Sequence, residues 1–349
     1  MSERLRWAAR WETGLALVVV IIAIVGASVS PQFFTSTNFF NLGLSNGEIA
    51  IMTLPMTLIV ISGEIDLSVA SILGLSSALL GVLWARHWPM IGIFVLIAVV
   101  GLAAGAVNGL LVTRVGLPSL AVTIGTLALY RGIATILLGP STVTNFPTTY
   151  TDLGVNAVPF TGGAITYSTA LFLVLAIVFG VVLHATPLGR SIYAMGASQE
   201  AAQFSGIRVK RIKTILFMIS GLVCALAGVL WTFRLDTAVQ NNGLGLELAV
   251  VAIVLLGGVS IFGGKGSIVG VVLAVLAFVG LQNALLLTNF NQEAAGIVTG
   301  ALLLLSVFGR NAASLSARLQ KRIPARPGRE PGRTVADPSQ VPPTASTPP

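Results

Sequence analysis

The chain has 349 residues, of which 9% are charged and 55% apolar, with a mean hydropathy of +0.92. A soluble domain carries about 25% charged residues, so this composition cannot clothe a globular surface and excludes the soluble classes. The formal charge of +8 and pI near 10.4 need no nucleic-acid partner, because the basic residues hug the ends of apolar runs, where anionic lipid attracts them.

The apolar residues fall in blocks of roughly 16 to 23, the length that crosses about 30 Å of hydrocarbon at about 1.5 Å per residue. The pattern predicts an all-α polytopic membrane protein of about ten transmembrane helices. Their approximate spans are 13–29, 46–62, 68–84, 90–112, 119–138, 168–184, 214–233, 247–260, 267–287 and 294–309. The 38 glycines that run through these blocks suit close helix packing in lipid.

An N-terminal arm, 1–12, carries Arg4, Arg6 and Arg10 ahead of the first run. A cleaved signal peptide has an apolar region of about 7–15 residues, and this run is longer, so a retained helix is expected. Between the second and third spans lie Glu64, Asp66 and Ser68. A carboxylate at mid-membrane costs about 2.5–3.5 kcal/mol and normally faces an interior or a polar cavity. Asp66 and Ser68 either cap the third helix by accepting backbone N–H bonds or contact a solute directly.

Further along, Asn108, Thr126, Tyr130, Arg131 and Asn283 are polar groups inside or beside spans. They either line a pathway or make interhelical hydrogen bonds; Arg131 is the best-placed charge within a span. The segment 139–167 is too small for a separate domain. The loop 186–213 is polar and basic, and includes Glu200-Ala201-Ala202-Gln203-Phe204-Ser205-Gly206. The eighth span is the shortest, consistent with a broken or tilted helix. The turn Gly263–Ser267 fails as a phosphate loop, because the positions a Walker A pattern requires are Val259 and Gly266 here. No ATP site is therefore expected in this chain. The segment 311–349 is rich in Arg and Pro and is expected to be a disordered tail.

Of the 20 Lys and Arg residues, 17 fall on the side that holds the N-terminal arm; Arg86, Arg131 and Arg234 are the exceptions. Excess basic charge in short loops marks the cytoplasmic face, so both termini and the loop 186–213 are expected in the cytoplasm. The single cysteine, Cys224, excludes an intrachain disulfide. The sequence contains no His-Glu-x-x-His helix.

Three stretches together resemble one family. They are Thr186-Pro187-Leu188-Gly189-Arg190 through Gly196, Glu200-Ala201-Ala202 and Ser205-Gly206-Ile207; Ser62-Gly63-Glu64-Ile65-Asp66-Leu67-Ser68; and Gly257-Gly258-Val259-Ser260 through Ser267. In order and spacing they are similar to the permease subunits of bacterial monosaccharide ABC importers, the branch that takes ribose, xylose, rhamnose and autoinducer-2. The resemblance covers about residues 10–310, and Glu64 departs from a commoner glycine. It implies a multi-pass protein of the bacterial cytoplasmic membrane that is not itself an enzyme. Gly189, Arg190, Gly196, Glu200, Ala201, Ala202 and Gly206 would form the loop that couples to a cytoplasmic ABC ATPase. That partner would bind ATP and Mg, leaving no cofactor in this chain. An extracytoplasmic sugar-binding protein and a second permease copy or paralogue are also implied. The stretches 63–68 and 117–132 look most like rhamnose-type permeases. An ion-coupled secondary transporter of small polar solutes is the rival reading; it needs an ionisable relay at mid-membrane and no docking loop.

Overall fold

The computed structural model describes residues 3–288 together with 297, 300 and 301, with side chains from Trp11 onward. Twelve helices are described: α1 Glu3–Val29, α2 Ser36–Ile61, α3 Val69–Ala85, α4 Met90–Leu110, α5 Ser119–Leu138, α6 Thr148–Val155, α7 Tyr167–Ala185, α8 Pro187–Ala197, α9 Gln199–Phe204, α10 Val209–Leu235, α11 Leu246–Leu256 and α12 Ile268–Leu287. Two-residue strands, β1 Val143–Thr144 and β2 Thr237–Ala238, pair antiparallel.

The first nine predicted spans each coincide with a helix. Seven of these are long and apolar enough to cross a membrane, and α3 and α11 are shorter. The α11 helix is the eleven-residue element expected to be shortest. The first helix begins at Glu3 and so takes in most of the predicted 1–12 arm. Nearly all of the tenth span and the whole of the tail 311–349 lie outside the described residues.

Side-chain caps fix several helix starts. Thr35, Thr166, Thr186, Ser198 and Ser267 accept from backbone N–H groups at the openings of α2, α7, α8, α9 and α12, satisfying donors that have no intrahelical partner. The α4 helix ends in a π-helical turn, Leu111–Val115, closed by Gly116 at φ +84°.

The α2 helix is the central column, buried over most of its length against α7, α10 and α11. The pairing of α4 with α10 is the closest. A Cβ on Gly105 would collide with Phe217 O, one on Gly221 with Gly101 O, and one on Gly109 would lie 2.8 Å from Thr214 Cα. This small-residue spacing lets the two backbones touch. At one end of the bundle, α6 and the β1–β2 pair cover the end of α10, where Asp236 accepts from the Phe146 N–H at 3.0 Å. The other end carries the connection 62–68, the loop 186–213 and the turn 257–267.

Candidate functional site

The loop 186–213 folds into two short helices at a sharp corner. Gly189 seats α8 against the end of α7, since a Cβ there would strike Leu183 O. The α9 helix is only six residues long and depends on its ends. Ser198 accepts from the Ala201 N–H at 3.3 Å, and the far end closes with Gly206 N–H to Gln203 O (2.9 Å) and Ile207 N–H to Ala202 O (3.0 Å). That is a Schellman closure, and Gly206 supplies its left-handed residue at φ +81°. Ala202 alone of the helix is buried; Glu200, Ala201 and Phe204 face outward, Phe204 at 93% exposure. Arg190 is also exposed.

All three sequence stretches meet where α8 ends. Gly264 N–H donates to Ile61 O at 2.8 Å. A Cβ on Gly196 would collide with Ile61 O and lie 2.6 Å from Gly264 N, and one on Gly263 would meet Gly196 O at 2.8 Å and Gly63 Cα at 2.9 Å. Tyr193 adds a hydroxyl bond to Gly266 O at 2.7 Å; burial, reinforced by Glu12, pushes its phenol up to about 12. The turn 257–267 contains Gly258, Gly263, Gly264 and Gly266, all at positive φ, as a tight turn requires.

The connection 62–68 is tied to three helices. Glu64 pairs with Lys213 of α10, and Lys213 Nζ also donates to Gln199 Oε1 of α9 at 2.7 Å. Ile65 bonds through its backbone to Ser119 and Thr123 of α5. Asp66 is fully buried. Its Oδ1 accepts from Ser68 N–H (3.0 Å) and Ser68 Oγ (2.6 Å), and its Oδ2 from Ser220 Oγ of α10 (3.2 Å). Asn108 Nδ2 of α4 donates to Ser68 Oγ at 2.8 Å, and Tyr130 OH donates to Ala104 O, 3.5 Å from Asn108 Oδ1. Burial pushes the Asp66 carboxyl up, against the pull of the Ser68 and Ser220 hydrogen bonds. Asp66 thus caps its own turn through the Ser68 amide. Ser68 makes no cap bond itself, because its hydroxyl is spent between Asp66 and Asn108.

A cavity of about 350 Å³ opens beside this connection, lined by Glu64, Thr113, Arg114, Gln199, Lys210 and Lys213 among others.

Four predicted residues, Asp66, Ser68, Asn108 and Tyr130, therefore form one cluster, with Glu64 two residues from Asp66 in the same connection. Three others stand apart. Thr126 bonds only weakly to Thr123 O, at 3.4 Å. Arg131 is a tether, donating to Gln240 O (2.9 Å), Asn242 O (2.8 Å) and Ala70 O (3.2 Å), so it pins the 236–245 segment onto α3. Asn283 lies on α12, with its Nδ2 lacking a partner among the described residues. Sequence reading missed Gln199, Lys213 and Ser220, and also the buried Glu48–Arg234 pair at 3.2 Å between α2 and α10. Glu64 offered a signal for the Lys213 tie, being an acid in a loop with no cation in its own stretch; Glu48, a lone acid in an apolar run, offered one for the Arg234 pair.

Residues 38–307 match the family described as branched-chain amino acid transport system / permease component, and the chain belongs to that family. It is a transport component built of membrane helices. Curated relatives follow the same line. The chain is 31% identical over 314 residues to the Autoinducer 2 import system permease protein LsrD of Yersinia enterocolitica, covering 86% of this chain and 92% of that protein. It is 31% identical over 297 residues to the Ribose import permease protein RbsC of Haemophilus influenzae, covering 84% and 91%. With the LsrD protein of Escherichia coli strain K12 the identity is 32% over 317 residues, covering 86% and 92%. No solved structure matches the chain.

Proposed function

We propose that this chain is the permease subunit of an ATP-driven importer for a monosaccharide or similar small polyol, sited in the bacterial cytoplasmic membrane. Both termini and the end built from 62–68, 186–213 and 257–267 face the cytoplasm. There α9, with Glu200 and the Gly206 turn, docks onto a separate ABC ATPase that binds ATP and Mg; this chain holds no cofactor. A second permease copy or paralogue completes the pathway, and an extracytoplasmic binding protein delivers the solute. When the ATPase dimer closes, α9 moves and the permease switches the side to which it opens.

One observation carries the reading. The three stretches on which the family resemblance rests meet in backbone contact at Gly63, Gly196 and Gly263–Gly264, at an end rich in Arg and Lys, as positive-inside bias asks of a cytoplasmic face. The sugar class draws support from the ribose and autoinducer-2 permeases among the relatives. Within that class, rhamnose is the sugar to which the stretches 63–68 and 117–132 point.

Buried Asp66, with no cation bonded to it among the described residues, is what an ion-coupled secondary transporter would use, and one experiment separates the two. Proteoliposomes holding this chain with its ATPase and binding protein should take up radiolabelled rhamnose, ribose, xylose or autoinducer-2 only when ATP is supplied on the ATPase side. Uptake by this chain alone under a proton or sodium gradient would overturn the importer.

A further inference from the structure

We propose that Lys213 is a positioning residue that carries motion of α9 to the 62–68 connection, acting as a strut between Gln199 and Glu64. This rests on the reading of α9 as the ATPase-docking helix and names the parts that transmit its movement.

The geometry is specific. Lys213 is 5% exposed although it ends a basic loop. Its ammonium is held between a residue 14 positions away on α9 and one 149 positions away on the connection. A buried lysine is retained only when paired, and here the partner Glu64 is itself only 15% exposed in its side chain. Neighbouring basic groups do not substitute for it, since Arg114, Arg190 and Lys210 are exposed and none pairs with Glu64 among the described residues.

The connection it grips is the point where α3, α4, α5 and α10 are joined by polar bonds, through Asp66, Ser68, Asn108, Ser119 and Ser220. At the glycine junction Gly196 itself meets the connection only by steric contact, and the hydrogen bonds there run indirectly through the 257–267 turn. A hydrogen-bonded ion pair holds the connection directly and can both push it and draw it back. The tie therefore gives the docking helix a grip on the carboxylate cluster in both halves of a transport cycle.

The test uses the complete complex of permease, ATPase and binding protein in proteoliposomes, with ribose, rhamnose and autoinducer-2 as probes and ATP hydrolysis measured beside uptake. Gln199→Ala is the informative variant, because Gln199 is exposed and the Glu64–Lys213 pair survives its removal. Solute moved per ATP, measured on complexes that retain the ATPase, should fall by about three- to thirtyfold, the range expected for losing a coupling residue. Lys213→Met should do the same or more. The exchange Glu64→Lys with Lys213→Glu should recover most of the ratio, since the Gln199 amide can turn to donate.

A wild-type transport ratio in Gln199→Ala or Lys213→Met overturns the strut. So does a defect in Lys213→Met, of coupling or of assembly, that the exchange leaves unrepaired. A wild-type complex that never shows ATP-driven uptake defeats the importer reading, and this inference with it.

Discussion

Two glycines of the same loop are required for different physical reasons. Gly196 has an ordinary backbone conformation but no room: a Cβ would run into Ile61 O on one side and Gly264 N on the other, and neither backbone atom can swing away. Gly206 has open space around it but a left-handed backbone at φ +81°. Gly196→Ala should therefore destabilise the chain by about 1–3 kcal/mol, the cost of overpacking a close contact. Gly206→Asn should cost under about 1 kcal/mol, since Asn tolerates that conformation. Thermal unfolding of the two variants in detergent checks the order, and equal losses would mean the junction yields more than its backbone contacts allow.

At the scale of the element, α9 is too short to persist by its own hydrogen bonds, since isolated helices below about 12 residues are marginal even in good sequences. Its caps and the burial of Ala202 hold it, so that it offers its outer face without needing that face for stability. Phe204 on this face is 93% exposed. An aromatic left in water contributes to binding only if a partner covers it, and such anchors carry about 2 kcal/mol or more in interfaces. Phe204→Ser should weaken ATPase binding by that amount, about thirtyfold in Kd, and leave the unfolding temperature unchanged; an unaltered Kd would remove this face from the docking surface. The loop and its glycine turn were legible in the sequence because caps and turn residues act locally. Of the Lys213 tie only the lone acid Glu64 was legible, not its partner, because the two lie 149 residues apart. The facing of the spans was equally hidden. In a soluble helix an apolar stripe reveals the buried side, but in lipid both sides are apolar. Central α2 and peripheral α1 therefore read alike, although the first is buried and the second exposes Leu17 and Ile24.

For the whole molecule, the exposed apolar side chains of α1, α5 and α7, such as Ile136 at 83% and Ile177 at 67%, demand lipid or a second copy as their surroundings. Orientation in that lipid decides whether α9 can meet an ATPase. The hairpin 157–166, closed by the Val158 N–H to Ile165 O bond, and the α8–α9 corner are separated by α7 alone. Its 19 residues span about 28 Å at about 1.5 Å each, one crossing. A single crossing between them puts the two loops on opposite faces, and we propose from the basic charge that the α9 side is the cytoplasmic one. Cys224 is the chain's one native thiol and is buried, which leaves a silent background for labelling. A membrane-impermeant maleimide should label Phe160→Cys in intact cells and Ser205→Cys only after the membrane is opened, both positions being exposed. The reverse pattern would put α9 outside, away from ATP, and no ATPase could then drive this chain through its 186–213 loop.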